Sequence, residues 1–258
     1  MLLAANVGNT NIRLGVFKGK ELIAHWKLAT SREWTADEFG IFFISFFNYA
    51  GIDIKDVEAV IISSVVPPIM FSFEHAIEKY IHKKPIIVGP GIKTGINIKY
   101  ENPKELGADR LVSAVAAYEM YGGPVIVVDF GTATTFNAIS SKGEFLGGAI
   151  CPGVKISAEA LYQRTAKLPK IDLAKHAQVI GRTTATGMQS GIFYGYVGLV
   201  NHMVDLIKKE MGEENIKVVA TGGLSKFIAP EAKSIDIINR RLILDGLRII
   251  FEKNKNDF

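Results

Sequence analysis

The chain of 258 residues contains a single cysteine, Cys151, so no internal disulfide can form. Set between Ile150 and Pro152, that cysteine reads as a small apolar packing residue in a reducing, cytoplasmic setting. Long apolar runs are also missing. The most apolar stretch, residues 39–50, falls short of the roughly 20 residues a membrane span requires. The first five residues lack the basic region of an export signal. Charge of one sign is nowhere concentrated: 30 Lys and Arg are scattered among 26 Asp and Glu, giving a net charge of +4. That describes a solvated, mildly basic surface and not a nucleic-acid groove. Common nucleotide motifs are absent too. The run Gly89-Pro90-Gly91-Ile92-Lys93-Thr94 lacks the lysine and hydroxyl at the spacing of a phosphate loop, and no dinucleotide fingerprint occurs.

What is present is globular: 48% hydrophobic and 22% charged residues. Phe39, Phe42, Phe43, Phe46 and Phe47 fall on one stripe of a helix predicted over 36–50, and that stripe is expected in the core. Before it, strands are predicted at 2–6, 12–17 and 21–27, joined by tight turns as an antiparallel meander. A strand at 57–63, a helix opening at Pro67-Pro68 and a short strand at 86–88 follow. A glycine-rich loop spans 89–103. Then a helix at 105–121 and strands at 125–129, 134–140 and 144–149 repeat the meander. Helices are expected at 154–163, 184–211 and 242–253, with a strand at 216–220.

Setting Asn6 against Asp129 gives an offset of 123 that also pairs Gly8 with Gly131 and Glu21 with Glu144, which points to duplicated halves. Each half has a strand ending in an amide or acid, then Gly and short polar residues. Glycine at such a bend lets the backbone approach a phosphate, and an acid at the strand end can hold a cation that screens it. One such turn is weak evidence; two, with a third at Thr221-Gly222-Gly223, are much stronger.

This layout resembles the actin, hexokinase and heat-shock chaperone superfamily, and in detail type III pantothenate kinase, over nearly the whole chain. The segments that carry the likeness are 6–11, 107–110, 129–135, 147–153, 165–169 and 221–223. The resemblance implies an α/β fold of two similar, duplicated halves of the actin-like ATPase (ribonuclease H-like) type, divided at residues 1–102 and 103–258, with a nucleotide cleft between them. It implies ATP contacts at Asn6, Val7, Gly8, Asn9, Thr10, Asn11, Ile12, Arg13 and Thr132. Asp129 would bind a monovalent cation, potassium or ammonium, with magnesium accompanying the nucleotide. Tyr100, Gly107, Ala108, Asp109, Arg110 and Thr184 would contact pantothenate, with Asp109 as proton acceptor and Arg110 as the fork for the carboxylate. The expected assembly is a cytoplasmic homodimer, with no nucleic-acid or membrane partner.

Two features keep a second reading open. Asp109-Arg110 is also what an acid in the first turn of a helix followed by a surface arginine looks like. And the resembled family begins its first turn with aspartate, where this chain has Asn6, which carries no charge to hold magnesium. The alternative is a non-catalytic nucleotide-binding regulatory or accessory protein. Gly187, Gly191, Gly195 and Gly198 put small residues along one helix, suited to close packing within the chain or between copies.

Overall fold

The computed structural model describes residues 1–256. In chain order the strands and helices are β1 Leu2–Val7, β2 Asn11–Lys18, β3 Glu21–Ala29, α1 Ala36–Tyr49, β4 Ala59–Ser64, α2 Pro67–Ile81, β5 Ile86–Ile87 and β6 Asn97–Ile98. They continue as α3 Ala108–Tyr121, β7 Val125–Phe130, β8 Ala133–Ile139, β9 Glu144–Pro152, α4 Val154–Gln163, α5 Thr184–Met211, β10 Lys217–Gly222, α6 Ser225–Ile228, β11 Ile237–Ile238 and α7 Leu242–Asn254.

Two compact units result. The first joins residues 1–95, 102–116 and 243 onward; the second joins 96–101 and 117–242. A division at residue 102 follows the repeat in sequence, whereas the contacts return α7 to the first unit and give β6 to the second. Gly246 explains part of that return: a Cβ there would collide with the Val112 carbonyl, so α7 lies directly against α3.

In the first unit the sheet runs β3-β2-β1-β4-β5, with β1 antiparallel to β2 and parallel to β4. Being central, β1 is buried at every residue, which is why it reads as a near-continuous apolar run. Thr35 and Glu38 form a capping box at the start of α1. The phenylalanine stripe packs as its spacing predicts: Phe39, Phe43 and Phe47 are fully buried, and Phe42 and Phe46 are half-buried against the same core. Phe46 also stacks on Trp26 of β3 at 5.2 Å.

In the second unit the order is β11-β10-β7-β8-β9-β6, the same sequence of connections with β6 added beside β9. Its core lies between β7, β8 and β10 and helices α4 and α5, centred on Phe130, Phe136, Phe193 and Val200. The topology is therefore duplicated. The offset of 123 shifts by one across β2 and β8, since Val7 pairs with Ile12 but Phe130 with Thr134, and returns at Glu21 and Glu144, the first residues of β3 and β9.

Candidate active site

The first turn closes when the Gly8 N–H donates to the Asn11 carbonyl at 3.1 Å. Thr30, just past the end of β3, ties it down, its hydroxyl donating to the Gly8 carbonyl at 2.6 Å and its N–H to the Thr10 carbonyl at 3.0 Å. Of the eight residues from Asn6 to Arg13, Val7 and Ile12 have fully buried side chains, leaving only their backbone for a ligand. Asn9 and Thr10 are exposed and Arg13 half-buried. Asn6 is buried, and its Oδ1 accepts a hydrogen bond from the Ser63 hydroxyl at 2.8 Å.

The second element in this unit is the start of α3. Asp109 Oδ1 accepts the Arg110 N–H at 2.8 Å, an acid in the first helical turn where the dipole favours it. Burial pushes the Asp109 carboxyl above the usual aspartate range, against the lowering pull of the Arg110 backbone bond and charge. The carboxylate folds back over Gly107, where a Cβ would lie 2.7 Å from its Oδ1 and 3.6 Å from Val65 Cγ1. Val65 in turn donates its N–H to the Val7 carbonyl at 3.1 Å. The fold thus sets the Asp109 turn beside the Asn6 turn, with Val65 between them. Arg110 is buried next to Asp109.

In the second unit Asp129 stands opposite Thr135 on β8 and beside Thr221 on β10. The hydroxyl of Thr221 is buried without a hydrogen-bond partner, a spare oxygen beside the acid; that of Thr134, also unpartnered, belongs to the position opposite Phe130. One carboxylate with neutral hydroxyl oxygens suits a hard cation of low charge. A cation there would offset phosphate charge. Among the described residues no three His, Cys, Asp or Glu side chains gather in one cluster. Thr132 is exposed at the tip of the turn. Gly153 makes room beneath it, because a Cβ would collide with the Thr132 carbonyl.

Tyr100 is not gathered with that turn. Tyr100 packs on Phe145, 5.9 Å between ring centres, and beside Gly147. Those residues pair with Ile139 and Ala138, five or six positions along β8 from Ala133, roughly 15–20 Å at strand spacing. Thr184 is exposed, the first residue of α5 after its Thr183 cap. Ser63 and Val65 escaped the sequence reading. Their only trace was a pair of hydroxyl residues ending a β-branched strand, and parallel pairing to Asn6 gives Ser63 its place.

Comparison with known proteins bears on the fold and the family. A protein from Campylobacter jejuni assigned to the Baf family of transcriptional activators matches with a TM-score of 0.61 at 21% identity, over 98% of this chain and 99% of that one. The activator of 2-hydroxyisocaproyl-CoA dehydratase from Clostridium difficile, solved with ADPNP bound, matches with a TM-score of 0.55 at 12% identity, over 99% and 96%. The ROK hexokinase of Thermus thermophilus reaches 0.50 at 14% identity, over 100% and 99%. At such identities the likeness shows the fold, that of the two-domain actin-like ATPases and sugar kinases. The family model for type III pantothenate kinase matches residues 2–206, a span that holds both turns, the Asp109 helix and most of α5. The chain belongs to the type III pantothenate kinase family.

Proposed function

We propose that this protein transfers the γ-phosphoryl group of ATP to the primary hydroxyl of pantothenate, giving 4′-phosphopantothenate, the first step of coenzyme A biosynthesis. The observation that carries the reading is Asp109: a carboxylate with a raised proton affinity, held by the Arg110 N–H and one residue contact from the Asn6 turn. A hydroxyl attacking phosphorus must lose its proton, and an acid with that affinity is suited to receive it. Arg110 meets the pantothenate carboxylate as a fork. Ala108, Gly107, Tyr100 and Thr184 complete the substrate contacts. The backbone of the 6–13 turn and Thr132 hold ATP, Asp129 holds potassium or ammonium, and magnesium rides with the phosphates.

The assembly we propose is a cytoplasmic homodimer built on α5. Nothing lies within 4 Å of where a Cβ would stand at Gly187, Gly191, Gly195 or Gly198, so a second copy can approach closely. No described helix is long and apolar enough to cross a membrane. Light scattering that reports a monomer at working concentration would count against the dimer.

The deciding experiment is ADP release with and without pantothenate and potassium. Release that requires both supports the kinase; release indifferent to pantothenate defeats it. A second reading, a nucleotide-binding accessory protein without turnover, draws on Asn6, a neutral residue whose oxygen is already taken by Ser63. Nucleotide binding with no ADP release would favour it.

A further inference from the structure

The amide that leads the first turn has two unlike ends. Asn6 is 7% exposed and stands beside Ser63 across the β1–β4 ladder. Ser63 is itself fully buried, and its hydroxyl donates to Asn6 Oδ1 at 2.8 Å. As the amide stands, the hydroxyl gives its one proton to the oxygen end and leaves the nitrogen end free of Ser63. The Nδ2 end is thereby turned toward the bend, where a Cβ at Gly8 would sit 3.8 Å from it. That end carries two donor protons and offers no lone pair to a metal.

We propose that Ser63 is a positioning residue that holds Asn6 as a hydrogen-bond donor to a nucleotide phosphate, so that the first turn takes the phosphate directly and not through a divalent ion held by residue 6. The inference rests on the reading of this chain as an ATP-binding protein. A carboxylate at position 6 would repel a phosphate at contact distance and would need a cation between them. A neutral donor needs none. The second unit repeats the frame with different chemistry, since its lead residue is the acid Asp129 beside Thr221. Each turn thus has a hydroxyl neighbour on the next parallel strand. In one turn that neighbour orients a donor, and in the other it stands beside an acid.

The test is the affinity of a non-hydrolysable ATP analogue, measured by calorimetry in EDTA and in excess magnesium, with melting curves confirming that each variant is folded. For the unaltered protein the two affinities should agree within about threefold. Ser63→Ala, which frees the amide to turn, should weaken binding in EDTA by roughly tenfold, and Ser63→Thr should restore it. Asn6→Asp keeps the shape and carries the test if Ser63→Ala does not fold. Its binding in EDTA should fall by tenfold or more and recover with magnesium. A magnesium requirement greater than tenfold in the unaltered protein, or unchanged binding by folded Ser63→Ala, overturns the inference. Phosphorylation of pantothenate together with either result sinks the inference and leaves the kinase reading standing. The expected binding pattern without turnover does the reverse.

Discussion

Gly222 is packed so closely against Asp129 that a single added methyl group would strike the carboxylate. Its φ of +96° suits glycine alone, and the same Cβ would come within 2.6 Å of the Phe130 backbone. The glycine that ends β10 is therefore the wall that fixes where the Asp129 charge stands.

Gly222→Ala should accordingly cost about 2–4 kcal/mol of stability, combining a disfavoured φ with a backbone clash. On the proposed cation role of Asp129 it should also blunt potassium activation of ADP release, as Asp129→Asn should without the stability cost. Urea unfolding and a potassium titration on both variants check this.

Asp109→Asn should lower the rate of pantothenate phosphorylation by roughly 10²–10⁴, the usual contribution of a general base. Its effect on stability has the opposite sign. Burial makes the folded protein hold the Asp109 proton more tightly than the unfolded chain does. That contribution is therefore present below the ordinary aspartate value and is lost as pH rises through the folded one. Above the ordinary aspartate value the buried carboxyl is a net cost, so Asp109→Asn should melt higher than the parent at pH 7, with the gap closing toward pH 4. A variant that melts lower at pH 7 would contradict the burial argument. For the same reason, the acid limb of the parent's rate profile should lie above the ordinary aspartate range.

Gly107→Ala should separate geometry from chemistry. The added methyl pushes on the Asp109 carboxylate, which can swing away, so stability should change by less than about 1 kcal/mol while turnover drops about tenfold. Steady-state kinetics beside a melting curve resolves the two.

Asn254→Leu should destabilise by about 2–4 kcal/mol. The buried amide accepts from the Lys93 N–H at 2.9 Å and donates to the Lys93 carbonyl at 2.8 Å, and a leucine leaves both backbone groups without those partners. The urea midpoint reports it.

The elements legible in the sequence were those with a period. The phenylalanine stripe announced α1 because five rings fall on one helical face, and the two meanders announced themselves by alternation between glycine turns. β6 and β11 were not legible, because two-residue strands carry no period. Helix α3 begins at Ala108 and not at 105, because Asn102 caps a separate short turn over Pro103–Glu105. At the site, Asp109, Asp129 and the glycine turns stood out by residue type. Ser63 did not, since only the parallel register of β1 with β4 makes a serine 57 positions away the partner of Asn6.

The grip of Asn254 on Lys93 has a bearing on how the chain is made. The first unit takes in α7, and α7 follows the whole of residues 117–242, which together with 96–101 form the second unit. During synthesis the earlier segment therefore leaves the ribosome long before the helix that completes its unit. A stalled ribosome or a clipped helix would therefore strand the half that carries Asn6 and Asp109, although both were made long before.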